Sequence, residues 1–364
     1  MNVVLVSFST LPTLQNYLYY AYGHLLEMGL NVYTVGADEI QANVEIGERN
    51  ITVSVPSSPL PTLSSLKVMI QKIDIISEQI EALNPDIVHF VSKHTWNYML
   101  IRKLKNRTSA KLIHTFHDPI GHKGDLVRYG VILYYKVIGS IVDGVVVHSD
   151  NCYKETIEKL KPKAEVFHAP LGCTKWHAYR EPKQILKKLL IFGRINPYKG
   201  CDLVPAIARE IEKRDSEINI IIAGKASKDV KAKTLDAIAK CPNIKFYNSF
   251  VSEDELDQYF YNCDVVLITH TSITQSGVIL DAYSHSKPIV AFQIDGIQEF
   301  LWDTEWSVRA FDISAYAQKV YQLVSDIHTL RLQSKLSWEF GKNHFASEKM
   351  AESLFKIYTT NQID

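Results

Sequence analysis

The sequence is poor in residues that build disulfide or metal frameworks. Its five cysteines stand singly at Cys152, Cys173, Cys201, Cys241 and Cys263, and no two of them form a C-x-x-C pair. This spacing favours neither a disulfide framework nor a zinc knuckle. No two histidines have metal-ligand spacing either. We therefore expect reduced thiols, a cytoplasmic protein and no metal site.

The chain also lacks a net charge, because its 40 basic and 40 acidic residues cancel. A dedicated nucleic-acid binder carries a positive excess, so we expect no nucleic acid partner. One region is mildly basic and could contact anionic lipid headgroups at the inner face of a membrane, although we favour solvated surface charge. Its members are Lys103, Lys105, Arg107, Lys111, Lys123 and Arg128.

Long apolar runs are missing as well. Residues 131–147 are interrupted by Lys136, Gly139 and Asp143, and they fit a helix and a buried strand better than a membrane span of about 20 apolar residues. Residues 2–8 are apolar but have no basic residues before them, so we expect a first strand and not a signal peptide. We predict no transmembrane helix.

Short apolar runs instead alternate with helical patterns, which is typical of parallel βαβ units. A chain of 364 residues can bury two cores, and a polar stretch near residues 170–186 is the expected boundary. The predicted strands are 2–8, 31–35, 86–91, 111–116, 143–148, 189–192, 218–223, 244–246, 265–269 and 288–292. Predicted helices include 14–28, 152–160 and 66–83, the last with an apolar stripe of Leu66, Met69, Ile70, Ile73, Ile76, Ile80 and Leu83.

The most informative stretch is the loop Gly193–Gly200, which places Arg194 and Lys199 between a buried strand and an amphipathic helix. The N–H groups and dipole at a helix N-terminus favour anions. A guanidinium can bind two phosphate oxygens while an ammonium acts as a point charge, so the pair suits a diphosphate. Two solvated surface cations explain this loop equally well when it is taken alone.

A second polar loop, residues 271–276, precedes another helix. Ser276 is the expected N-cap and Gly277 lies in the first turn, so a second set of N–H groups points at an anion. Asp281 lies more than one turn inside this helix, where its carboxylate could accept hydrogen bonds from sugar hydroxyls. An ordinary capped helix with an exposed aspartate is the alternative, and we favour it for this stretch alone.

His117 follows a predicted parallel strand and precedes Asp118 and Pro119. Ligands bind outside the carboxyl ends of such strands, so we favour a functional role over a packed side chain. We expect His114, His148 and His168, which lie in or beside other apolar runs, to be structural.

Taken together, these motifs resemble glycosyltransferase family four. The resemblance rests on the loop Gly193–Gly200, on the blocks 280–282 and 287–291, on 295–299, and on the 116–119 segment. It implies a GT-B fold of α/β class, with two doubly wound Rossmann-like domains facing across a cleft. The expected domains are residues 1–172 on the acceptor side and 173–339 on the nucleotide-sugar side, with a C-terminal helix 340–364 packing back on the first.

The resemblance also implies a retaining, metal-independent hexosyltransferase without a cofactor, whose donor substrate is a nucleotide-diphosphate sugar. The acceptor would be a glycan, a lipid-linked sugar or another hydroxyl, in the synthesis of surface polysaccharide or glycoconjugate. Arg194 and Lys199 would neutralise the diphosphate, and His117 would approach the donor sugar. Further donor-binding residues would be Gly193, Gln275, Ser276, Gly277, Val278 and Asp281.

Two departures from the family pattern leave alternatives open. Ile273 stands where the family places a sugar-binding Glu, so Thr274 or Gln275 would have to replace it in a shifted register. Residues 9–13 lack the usual glycine pair of the first strand–helix loop. A catalytically degenerate partner of an active transferase therefore stays an alternative. A nucleotide-sugar epimerase or hydrolase of the same architecture is another, which the missing Glu makes less attractive.

Overall fold

The computed structural model describes residues 1–37, 49–55, 63–121, 128–173, 175–273 and 275–360. Lys123 and Thr274, named above, lie outside the described residues. The chain divides into two compact units, Met1–Thr174 with Ser347–Asp364 and Lys175–Ala346. The domain bounds expected from the sequence stay a prediction.

The first unit contains a parallel sheet of seven strands in the order β3-β2-β1-β4-β5-β6-β7. The strands are β1 Asn2–Ser7, β2 Asn31–Ala37, β3 Asn50–Val53, β4 Ile87–Phe90, β5 Lys111–Thr115, β6 Gly144–Val147 and β7 Glu165–His168. Its helices are α1 Pro12–Glu27, α2 Leu63–Ala82, α3 Trp96–Arg107, α4 Arg128–Gly139 and α5 Asp150–Glu155, which continues as a π-helical turn Thr156–Leu160. In the register of the sheet, Val3 of β1 lies opposite Val32 of β2 and Ile87 of β4.

The second unit contains a parallel sheet of six strands in the order β10-β9-β8-β11-β12-β13. The strands are β8 Lys188–Phe192, β9 Asn219–Ala223, β10 Ile244–Tyr247, β11 Val265–Ile268, β12 Ile289–Gln293 and β13 Ser307–Arg309. The helices are α6 Val204–Glu212, α7 Ala232–Ala239, α8 Glu253–Tyr261, α9 Gly277–Ser284, α10 Ile313–Ser325 and α11 Ile327–Phe345.

The last helix, α12 Ser347–Thr360, returns to the first unit and packs against α1. Leu354 and Tyr358 are fully buried in the same core cluster as Leu18 and Leu25. The Tyr358 hydroxyl contacts Nδ1 of the buried His89 on β4 at 2.5 Å. Residues 340–345, expected in the returning helix, form the end of α11 instead.

The described residues confirm an α/β fold with two doubly wound parallel sheets, and they correct two details. Leu66 and Ile70 of the predicted stripe are each 37% exposed, whereas Met69, Ile73, Ile76 and Ile80 are buried, so the buried face of α2 is narrower than expected. The sequence interpretation missed β3, β7 and β13, each at an edge of its sheet. Edge strands are short and only partly covered, so they lack the continuous apolar run of a buried strand. Among the described residues, no helix has the length and apolarity needed to cross a membrane.

Candidate functional site

The loop between β8 and α6 turns sharply at two glycines. Gly193 has φ +86° and Gly200 has φ +67°, both in the left-handed region that side chains disfavour. A Cβ on Gly200 would lie 2.0 Å from the backbone oxygen of Thr269, so this position requires glycine for space as well. A 3₁₀ turn, Pro197–Lys199, lies between them, and α6 begins four residues after Gly200 with Pro205 in its first turn.

Lys199 is buried, with 8% of the residue exposed, although it was expected as a loop cation. Its Nζ donates a hydrogen bond to the backbone oxygen of Phe192 at 3.1 Å. Burial lowers the pKa of Lys199 to about 8, and the nearby Asp281 carboxylate raises it in part. The ammonium therefore stands at the carboxyl end of β8 in a poorly hydrated setting, where its charge acts strongly on an anion.

The two predicted loops lie against each other. The Thr271 amide donates to the backbone oxygen of Tyr198 at 2.7 Å, and the Thr269 hydroxyl donates to that of Lys199 at 2.6 Å. A Cβ on Gly193 would lie 3.1 Å from Lys199 Nζ and 3.4 Å from Val278 Cγ2. The structure thus brings Gly193, Lys199 and Val278 together beside the start of α9.

Helix α9 presents its N-terminal turn as the sequence predicts. Ser276 is the N-cap residue and is buried, but its hydroxyl makes no capping hydrogen bond to the described part of the helix. The exposed Gly277 follows, and a Cβ there would meet no described atom within 4 Å. Because the first N–H groups of a helix have no partner within it, this turn can donate to a ligand. Asp281 lies one turn further along and is half-buried.

Three other candidate positions differ in their exposure. Arg194 is exposed on the loop after β8, so it does not share the burial of Lys199. Gln275 is half-buried immediately before the N-cap of α9. Ile273 is only 4% exposed, so the position that departs from the family pattern holds a packed apolar side chain.

His117 lies in the first unit, two residues after β5. Its Nε2 donates to the backbone oxygen of Val91 at 2.8 Å, since a carbonyl oxygen can only accept. Its ring centroid lies 5.0 Å from that of His148 and 5.5 Å from that of Tyr17. Burial lowers the pKa of His117, which the Val91 carbonyl and Asp118 partly offset.

The neighbouring histidines are mostly packing elements, as expected. His114 and His148 are buried, and burial lowers the pKa of each to about 3. Nδ1 of His114 donates to the backbone oxygen of Thr115 at 2.8 Å, and Nδ1 of His148 donates to that of Ala169 at 2.9 Å. His168 is exposed at the end of the edge strand β7, and its expected structural role stays a prediction.

Comparisons with known proteins agree with this architecture. Residues 186–326 match the family model described as Glycosyl transferases group 1, and residues 14–172 match the model described as Glycosyltransferase Family 4. A GDP-mannose:glycolipid 4-beta-D-mannosyltransferase of Xanthomonas campestris pv. campestris is 28% identical over 118 residues, which are 32% of this chain and 33% of that protein. The chain thus spans about a third of the length of the curated relatives it matches.

Two solved structures are similar over nearly their whole length. Sucrose-phosphate synthase from Thermosynechococcus elongatus superposes with a TM-score of 0.72 at 15% identity, covering 99% of each chain. S. aureus TarM, in a complex that includes UDP, gives a TM-score of 0.73 at 12% identity, covering 98% of this chain and 99% of that one. These likenesses and the two parallel sheets define a GT-B fold. The chain belongs to glycosyltransferase family four.

Proposed function

We propose that this protein transfers a sugar from a nucleotide-diphosphate sugar to a hydroxyl acceptor. The observation that carries the proposal is the buried Lys199 ammonium, held by the Phe192 carbonyl beside Gly193 and near Asp281. A buried cation next to a helix N-terminus with open space around Gly277 is suited to a diphosphate. The family membership of the chain supports the same reaction class.

In such a transfer the bond between the anomeric carbon and the diphosphate oxygen breaks, and negative charge develops on the leaving diphosphate. Lys199 would stabilise that charge from a buried position, and the amides of the first turn of α9 would add fixed dipoles. The exposed Arg194 would reach the same phosphates from the loop. Their combined effect is to lower the barrier to departure without a strong protein base.

The sugar would be held by the remaining predicted groups. Asp281 would accept hydrogen bonds from hydroxyls of the donor, and Gln275 would act beside the N-terminal turn of α9. His117, in the first unit, donates through Nε2 to the backbone oxygen of Val91, and its role at the donor sugar is what the family resemblance implies. These assignments rest on the family resemblance together with the positions of the residues.

A nucleotide hexose is the donor class that we propose. The curated relatives are named for GDP-mannose and a glycolipid acceptor, and the similar TarM structure includes UDP. We therefore take GDP-mannose as the first donor to test and a lipid-linked glycan as the first acceptor class. The corresponding role is synthesis of a surface polysaccharide or glycoconjugate, on the cytoplasmic side of a membrane with at most peripheral contact.

The experiment measures release of nucleoside diphosphate from a panel of GDP- and UDP-sugars, with and without glycan and glycolipid acceptors. We expect one donor to be turned over by wild type, and Lys199→Met to lose that turnover. Lys213→Met is the matched control, because Lys213 is an exposed cation at the C-cap of α6 that pairs with Glu210. Equal turnover by Lys199→Met and wild type would contradict the proposed diphosphate site.

Retention and independence of metal ions are further parts of the proposal. The anomeric configuration of the product, measured by NMR, tests retention. A β-linked product from an α-linked donor sugar, which is the linkage in the name of the Xanthomonas relative, would be inversion and would contradict this part. Adding Mg²⁺ or Mn²⁺ should change turnover less than twofold, since Lys199, Arg194 and the helix turn already meet the diphosphate charge. Strict dependence on either ion would contradict this part.

A catalytically degenerate partner subunit is the second candidate, and Ile273 favours it. A buried apolar side chain fills the position where the family has a sugar-binding Glu. A degenerate subunit would bind GDP or UDP, measured by calorimetry, yet on its own release no diphosphate from any sugar donor. Turnover of a single donor by the purified chain would exclude this candidate.

A further inference from the structure

A cluster of three side chains lies in the second unit, away from the N-terminal turn of α9. His177 precedes β8, Asp257 lies on α8, and His285 follows the last residue of α9. One ligand-type atom of each lies within 4.8 Å of those of the others. Asp257 Oδ1 is 3.5 Å from His177 Nε2 and 3.1 Å from His285 Nε2. The three residues are far apart in the sequence, so no metal-ligand spacing predicts that they lie together.

The proton of His285 points away from this cluster. Its Nδ1 is 2.7 Å from the backbone oxygen of Asp281, and because a carbonyl oxygen only accepts, Nδ1 carries the hydrogen. A neutral His285 ring therefore directs the lone pair of Nε2 at the Asp257 carboxylate. A lone pair facing a carboxylate oxygen at 3.1 Å is repulsive unless a proton or a metal ion lies between them.

His177 and Asp257 also each make a hydrogen bond with the atom that faces away from the cluster. His177 Nδ1 is 2.9 Å from the Tyr261 hydroxyl, which can accept its proton, and Nε2 makes no hydrogen bond to any described residue. Asp257 Oδ2 accepts from Lys175 Nζ at 2.8 Å, which leaves Oδ1 directed at the two histidines. Metal-binding histidines and carboxylates are commonly oriented by such hydrogen bonds on the side away from the metal.

We propose that His177, Asp257 and His285 bind a zinc ion, with water as the fourth ligand. Bonds of 2.0–2.1 Å in a tetrahedral site place neighbouring ligand atoms about 3.3 Å apart, and the two measured distances bracket that value. Two imidazoles and one carboxylate suit Zn²⁺ and not Mg²⁺, which prefers oxygen ligands.

The proposed ion would connect separate segments of the second unit. It would join α8, the end of α9 and the segment before β8, whose backbone oxygen at His177 also accepts from Trp338 Nε1 at 2.9 Å. The site lies at the C-terminal end of α9, whereas the proposed diphosphate turn lies at its N-terminal end. Zinc at the cluster is therefore compatible with sugar transfer that needs no added metal.

The experiment uses the full chain, stripped of metal with a chelator and dialysed. Calorimetry with Zn²⁺ should show one ion per chain, and the ion should raise the melting temperature by about 5 °C, whereas Mg²⁺ should do neither. His177→Ala and Asp257→Asn should each weaken zinc binding about 100-fold or more. The matched control is His328→Ala, which removes an exposed histidine of the same unit and should bind as wild type.

Two further measurements keep the outcome decisive. Circular dichroism of the metal-free variants should match metal-free wild type, so lost binding is not lost folding. With Co²⁺ in place of Zn²⁺, the absorption spectrum should show a tetrahedral site without the thiolate bands that binding to any of the five buried cysteines would give. No zinc uptake by wild type, thiolate bands, or wild-type affinity in both cluster variants would each overturn the proposal.

Discussion

The loops after β1 and after β8 occupy the same place in their sheets, since each strand is third in a parallel order and is the first strand of its unit. After β1 the chain enters α1 within four residues, with Pro12 at the first helical position and no glycine before it. After β8 it turns through Gly193 and Gly200 and buries Lys199. Loops at the same position of two similar sheets thus differ in their glycines and in their buried charge.

The difference shows which loop is suited to an anion. Glycines let a backbone approach a ligand closely, and a buried ammonium supplies charge in a poorly hydrated place. The first loop has neither, and Ser9 Oγ there accepts from the Leu11 amide at 3.2 Å, which is local turn chemistry. The comparison therefore places diphosphate recognition, as proposed, in the second unit.

The largest expected effect tests the cations of the second loop. Arg194→Ala and Lys199→Met should each remove about 2–4 kcal/mol of transition-state stabilisation, or roughly 30- to 1,000-fold in kcat/KM, with unchanged circular dichroism. Ser9→Ala in the first loop should leave the affinity for GDP or UDP unchanged in calorimetry. If Ser9→Ala weakens the affinity for GDP or UDP as much as Arg194→Ala and Lys199→Met do, the conclusion that only the second loop binds the diphosphate is wrong.

The next effect concerns the residue before the N-cap of α9. Gln275→Ala should cost about 1–3 kcal/mol in donor turnover, or roughly 5- to 150-fold, if its amide binds a sugar hydroxyl in place of the missing Glu. The comparison variant is Ile273→Val, because Ile273 is buried and a larger truncation would leave a cavity. Ile273→Val should keep the donor kinetics of wild type. A normal kcat/KM for Gln275→Ala would argue against the shifted register.

Two glycines give a matched pair across the units. Gly193 has φ +86° and Gly29 has φ +87°, so alanine at either position meets the same backbone strain of about 1–2 kcal/mol in unfolding free energy. A Cβ at Gly193 would press on Lys199 Nζ, whereas one at Gly29 would meet no described atom within 4 Å. Denaturant unfolding should show similar losses, but only Gly193→Ala should lower diphosphate affinity, by about tenfold. Equal diphosphate affinities of Gly193→Ala and Gly29→Ala would show that Gly193 is not part of the diphosphate site.

The smallest effect is a dependence on pH. Since burial lowers the pKa of Lys199 to about 8, kcat/KM should fall above that pH as the ammonium is lost. The sign for stability is opposite, because between about pH 8 and the unfolded pKa the unfolded chain binds more protons, so this residue's contribution to folding stability rises with pH. Urea unfolding of wild type and Lys199→Met across this range measures the second trend. A kcat/KM that stays flat to pH 10 would contradict a catalytic Lys199 ammonium.

The sequence was sufficient to predict the parallel sheets, because inner strands such as β1 and β11 contain continuous apolar runs. It was insufficient for the edge strands β3 and β13, which have few residues and partial burial. The motif around Gly193 and Asp281 could be recognised in the sequence. The burial of Lys199 could not be predicted, because this burial depends on contacts with the distant α9 and the end of β11. The cluster of His177, Asp257 and His285 was missed for the same reason.

The returning helix α12 has a consequence for the order of folding during synthesis. Leu354 and Tyr358 complete the core of the first unit, yet a ribosome makes them only after the whole of the second unit. The second unit can therefore fold while the first still lacks part of its core, which reverses the usual order from N-terminus to C-terminus. A nascent chain arrested before residue 347 should accordingly resist protease in the second unit and be cleaved in the first.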